Sequence, residues 1–169
     1  MNSWRPIGAL IGIVFMTACT AMPGRAPAEE RQIPVTVLYS STQCGGLQAP
    51  GATADWIERP GDLILPGFQG DDAKNLPALQ WDPATEGVLR IRMGSRPTGG
   101  YALEPAGATA QVIDRTALIR IKWRKPEPGM MVTQAFTSPC LLLKVPRQGL
   151  DTIRVIDQQD RVRAEIPVP

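Results

Sequence analysis

The chain has 169 residues, 43% hydrophobic and 20% charged, with a formal net charge of +2 at pH 7. That is enough apolar material for one buried core, and too little net charge to draw the molecule onto nucleic acid or an anionic bilayer. There is no histidine, which removes the usual general base near neutral pH and the commonest metal ligand, and the 17 Pro and 16 Gly suit short strands joined by turns.

Residues 1–18 read as an export signal. Arg5 is the positive flank, and the apolar run at 7–16 suits a signal peptide but is too short to span a bilayer. Met16-Thr17-Ala18-Cys19 resembles a bacterial lipobox. The resemblance implies cleavage before Cys19 and acylation of its sulfur; plain secretion with cleavage near Ala18 is the other reading. Several acyl chains, at about 0.8 kcal/mol per buried CH₂, hold a protein on a membrane essentially permanently. Thr20 after the cysteine points to the outer membrane of a bacterial envelope, with the protein facing the periplasm. Residues 19–32, mostly Pro, Ala and charge, read as a flexible tether. Residues 33–169 read as a single β-rich domain.

Residues 33–40 (IPVTVLYS) are rich in β-branched side chains and predict a first strand, closed by a turn at 43–46. The pattern over 47–86 is weak. Trp56, Ile57 and 63–65 (LIL) supply apolar anchors, and Pro60 suits the first turn of a short helix over 60–66. Asp71-Asp72 sits in a polar loop and lacks the spaced oxygen ligands of a calcium site, so solvated loop is the reading here. A brief extended piece is expected at 79–81. Residues 87–93 (GVLRIRM) alternate partly, as a half-buried strand does. Residues 94–100 follow as a stiff loop: Pro97 fixes its own φ and extends Arg96, while Gly99 and Gly100 permit a sharp reversal. Residues 101–105 are expected to return as the partner strand, which leaves an ordinary hairpin turn and an exposed binding loop both open.

Residues 110–114 and 117–123 predict a hairpin around Arg115-Thr116. In the second strand Arg120, Lys122 and Arg124 share one face, and Ile119, Ile121 and Trp123 share the other. That basic row either meets an acidic protein or anionic envelope polymer, or is a solvated face that discourages edge pairing. Residues 126–129 form a rigid turn. Met130 and Met131 after it are either soft side chains for a protein contact or partly core. Strands are expected at 131–136, 140–145, 152–157 and 161–166. The fold class is mainly β: a small antiparallel two-layer β-sandwich with at most one or two short helices.

Cys44 and Cys140 remain once Cys19 is assigned to lipid, an even pair in an exported chain, and predict a disulfide; two free thiols are the alternative. A catalytic thiol has no histidine to activate it. There is no nucleophile elbow, no phosphate-cradling glycine loop and no metal-spaced cluster, so neither an enzyme nor a cofactor is expected.

The stretch GSRPTGGYAL, followed by PGMMVTQAFTSPCLLLKVP, resembles the C-terminal domain of the PrcB family, named for a subunit of a bacterial surface protease complex, over residues 88–145. The resemblance implies a non-catalytic protein-binding module: an accessory subunit or regulator of a protease in the envelope. For such a contact the stiffness of the loops themselves favours Arg96, Pro97, Thr98, Gly99, Gly100 and Tyr101, with Pro128, Gly129, Met130, Met131 and Thr133, expected as neighbouring loops at one end of the sheet, Arg96 offering a charged fork. The 96–101 loop also resembles the NPTTGY-type loop of chagasin-like cysteine peptidase inhibitors, which have an immunoglobulin-like fold. Here Arg96 stands where Asn is usual and Gly99 replaces a Thr. Two further functions therefore stand beside the first: peptidase inhibition through that loop, and an envelope structural or anionic-ligand-binding lipoprotein using the basic row.

Overall fold

Val35 divides what the sequence presents as one first strand. In the computed structural model, which describes residues 30–45, 51–65 and 79–169, β1 (Glu30–Pro34) pairs with β6 (Thr109–Ile113), while β2 (Thr36–Ser41) pairs with β8 (Cys140–Pro146) in the opposite sheet. Pairing begins at Glu30, within the expected tether, because Glu30, Arg31 and Gln32 bond through their backbone and need no apolar side chain. The signal residues, Cys19, the tether up to residue 29 and the Asp71-Asp72 loop lie outside the described residues.

The remaining elements are β3 (Thr53–Ile57), a 3₁₀ turn (Pro60–Asp62), β4 (Glu86–Arg92), β5 (Ala102–Pro105), β7 (Thr116–Arg124), β9 (Thr152–Ile156) and β10 (Val162–Pro167). The expected helix over 60–66 shrinks to that single turn, since Leu63 is already extended. One sheet runs β1-β6-β7-β9-β10, with β5 also on β7, and the other runs β2-β8-β4-β3. β5 and β6 lie end to end along one edge of β7, and the Ala106 N–H donates to Arg120 O between them. Asp114 and Arg115, at φ 46° and 64°, make the tight β6–β7 turn whose twist matches the strands.

Three strand expectations are corrected. β7 and β9 pair in parallel, the one exception among the strand pairs of the described residues, because β8 crosses to the other sheet between them. Residues 101–105 do not return along β4: β5 pairs with β7, so the segment 94–100 carries the chain from sheet to sheet and is no hairpin turn. Residues 131–136 form no strand but part of a long loop over 125–139, whose pairing is limited to isolated bridges.

The main core lies between the sheets. β7 turns Ala117, Ile119, Ile121 and Trp123 inward, and β8 turns Leu141, Leu143 and Val145 against them. A second cluster covers the outer face of the β2-β8-β4-β3 sheet: Leu142, Val88 and Cys140 pack with Ile57, Leu63, Leu65, Leu79 and Trp81. Trp81 Nε1 donates to Glu58 O at 2.8 Å, which fixes this cover. β8 is thus buried on both faces, which is why its sequence shows an apolar run with no alternation. Cys44 and Cys140 form a disulfide inside the second cluster, with Cα atoms 5.7 Å apart.

Asp157 holds the turn between β9 and β10. Its side chain is fully buried, yet accepts from the backbone N–H of Gln159 and Arg161 and from the guanidinium groups of Arg161 and Arg163. Burial pushes this carboxyl up. The two backbone N–H groups and then the two guanidinium groups outweigh it and lower the pKa from 3.8 to about 2. A carboxyl lowered on folding adds stability that is fully present above its unfolded pKa and is lost as pH falls through about 2. Urea midpoints measured from pH 5 down to pH 2, about the span of that titration, should therefore fall more steeply in the native protein than in Asp157→Asn. Parallel curves would show that Asp157 is not the group responsible.

Candidate functional site

Two loops emerge at one end of the sandwich. Gly94 and Gly100 adopt φ of 80° and 81°, and these two left-handed positions let residues 94–100 leave β4 and enter β5 in the other sheet. A β-carbon on Gly100 would sit 2.9 Å from both Pro126 Cβ and Val132 Cγ1, so the close approach to the 125–139 loop also requires glycine.

The loops are joined by backbone. Arg96 N–H donates to Thr137 O at 2.8 Å and Thr137 N–H returns the bond at 2.9 Å. Gly99 N–H donates to Thr133 O at 2.8 Å, and Thr137 Oγ1 donates to Thr98 O at 2.9 Å. A third segment closes the base: Cys44 N–H donates to Ser138 O, Ser138 N–H to Thr42 O, and Gln43 Nε2 to Phe136 O. The Cys44–Cys140 bond pins this segment to the start of β8.

What these loops display is apolar. Met131 is 99% exposed, Phe136 64% and Met130 53%, with Pro97, Pro128, Gly129 and Thr133 exposed beside them. Neither methionine is core. Phe136 escapes sequence reasoning because the run MVTQAF reads as a strand; an aromatic residue flanked by Gln134, Ala135, Thr137 and Ser138, with no apolar partner at strand spacing, is the signal that marks it.

Arg96 is not the free fork expected of it. It is half-buried, donates from Nη2 to Met93 O at 2.5 Å, and lays its guanidinium 5.9 Å from the centre of the half-buried Tyr101 ring. Thr98 is also half-buried, and its hydroxyl donates to Gly99 O. Both side chains therefore brace the loop. Its exposed members are Pro97 and Gly100, with Gly99 half-buried between them.

The basic row is where the alternation puts it, with Arg120, Lys122 and Arg124 exposed. Its charge is largely answered: Arg120 pairs with Asp160, Arg124 pairs with Glu104 at 3.3 Å, and Lys122 stands opposite Glu104 in the β5–β7 register. β7 is an interior strand, so the row protects no edge.

Among the described residues no group of three or more His, Cys, Asp or Glu is placed to hold a metal ion, and no helix is long and apolar enough to cross a membrane. Residues 88–146 match the family model described as PrcB C-terminal, a span from β4 through β8 that contains both loops. No curated protein and no solved structure matches the chain.

Proposed function

We propose, from the PrcB C-terminal match over residues 88–146 as premise, that this chain is a non-catalytic module that docks onto a protein partner in the bacterial envelope, as an accessory subunit or regulator of a protease. The observation that carries the docking surface is the exposure of Met130, Met131 and Phe136 on the 125–139 loop, which backbone bonds tie to the 94–100 loop. Methionine and aromatic side chains are enriched at the centres of protein interfaces, and a preformed loop loses little entropy on binding. The test is crosslinking and pull-down from native membranes, comparing wild type with Met131→Asp/Phe136→Asp. Equal recovery of the same partner by both would remove the reading. A peptidase inhibitor would instead give saturable inhibition of a purified cysteine peptidase, lost in Pro97→Ala.

The lipobox-like Met16-Thr17-Ala18-Cys19 supports a membrane anchor on Cys19, in the outer membrane facing the periplasm. In Cys19→Ser the acyl mass should vanish from the intact-mass spectrum and the protein should leave the membrane fraction. Unchanged retention would overturn the anchor.

A further inference from the structure

A cavity of about 400 Å³ opens at the mouth of the sandwich, between the start of β3, the end of β4, the end of β7 and β10. Its wall contains four cations, Arg96, Arg124, Lys125 and Arg163, and no acidic residue. Met93, Tyr101 and Trp123 supply the apolar part. The two rings are already stacked by guanidinium groups, Arg96 over Tyr101 at 5.9 Å and Arg163 over Trp123 at 5.3 Å.

The wall is also short of acceptors. Three buried side-chain N–H groups have no hydrogen-bond partner among the described residues, and two of them, Arg96 Nε and Trp123 Nε1, belong to this wall, one from each stacked pair. A buried donor left without a partner is costly. The acids that answer the cations lie outside the wall: Glu104 takes Arg124, and Asp157 takes Arg163 while also serving Arg161. Lys125 has no ion-pair partner among the described residues.

We propose that this cavity is a binding site for a carboxylate carried on an apolar or aromatic body, of the size of one or two amino-acid residues. The carboxylate supplies the negative charge and acceptors that the wall lacks. Small rotations of Arg96 and Trp123 bring their free N–H groups to it, and Lys125 meets it from the rim. The apolar body lies against Met93, Tyr101 and Trp123, which a bare inorganic anion would leave unused. A volume near 400 Å³ is within the range of small-ligand sites. The chemistry is that of a polypeptide C-terminus ending in an apolar residue, and equally of a free small aromatic acid.

The test needs no partner protein, so its failure leaves the docking reading of the loops standing. Titration of the full chain with N-acetylphenylalanine, followed by calorimetry and by Trp fluorescence, should show saturable binding that weakens with salt. N-acetylphenylalaninamide, which lacks the charge, should bind at least about tenfold more weakly, as loss of a charged hydrogen-bond acceptor implies. Lys125→Gln, at an exposed position that leaves folding intact, should weaken the acid by several-fold. Trp123→Phe keeps an aromatic face on the wall but loses Nε1–H together with part of the indole; it should weaken the acid by about tenfold and the amide by much less, which tells the lost donor from the lost packing. A hexapeptide with the same C-terminal phenylalanine separates the sources: equal or tighter binding assigns a polypeptide tail, weaker binding a free acid, and either supports the carboxylate site. Acid and amide binding alike, inorganic phosphate binding as tightly as the acid, or no saturable binding would overturn the proposal.

Discussion

Replacing Cys44 and Cys140 together by alanine should lower the free energy of unfolding by about 4–5 kcal/mol, the loop-entropy value for a closure of this length. The two cysteines are 96 residues apart, so the bond restricts most of the described domain in its unfolded state. Domains of this size are stable by only about 5–15 kcal/mol, so the loss would take much of the margin. Alanine is the informative substitute because Cys140 is fully buried, where serine would bury a hydroxyl. Urea unfolding of wild type with and without reductant should show the same difference. A loss below about 1 kcal/mol in both comparisons would show that the unfolded chain is not constrained in this way.

The second large effect is on binding, not stability. Met131→Asp/Phe136→Asp should weaken partner capture by at least about a hundredfold, since central apolar anchors of an interface commonly contribute 2 kcal/mol or more each. The same double variant should melt within a degree or two of wild type, because both side chains are exposed and surface substitutions usually change stability by less than about 0.5 kcal/mol. Pro97→Ala should lose a smaller part of the affinity, through loosening of the preset loop. A partner bound equally well by the Asp variant, in a protein that melts normally, would move the contact elsewhere on the molecule.

The strands whose faces differ were legible. β7 alternates through its whole length, and its buried and exposed sets are those the residue parity implies. β8 was legible as a strand but not in its placement, because burial on both faces erases the alternation that tells inside from outside. The break at Val35 left no mark, since Val, Thr and Val pack equally well in either sheet. The 94–100 segment misleads for a related reason: Pro and Gly mark a change of direction, whether the chain returns along its own sheet or passes to the other. Within the candidate site, the exposed methionines could be suspected from their place after Pro128-Gly129. The inward fold of Arg96 depends on Met93 O and the Tyr101 ring being near, and no local pattern records that.

The parallel pairing of β7 with β9 bears on how the chain reaches this structure. β9 follows β7 only after a segment of some thirty residues that belongs to the opposite sheet, so that edge of β7 has no partner until Thr152–Ile156 has been made and delivered. Long-range pairing of this kind is slow to form, and exposed strand edges invite association with other chains. The hazard of aggregation during synthesis and export is therefore concentrated in the interval before the final hairpin closes.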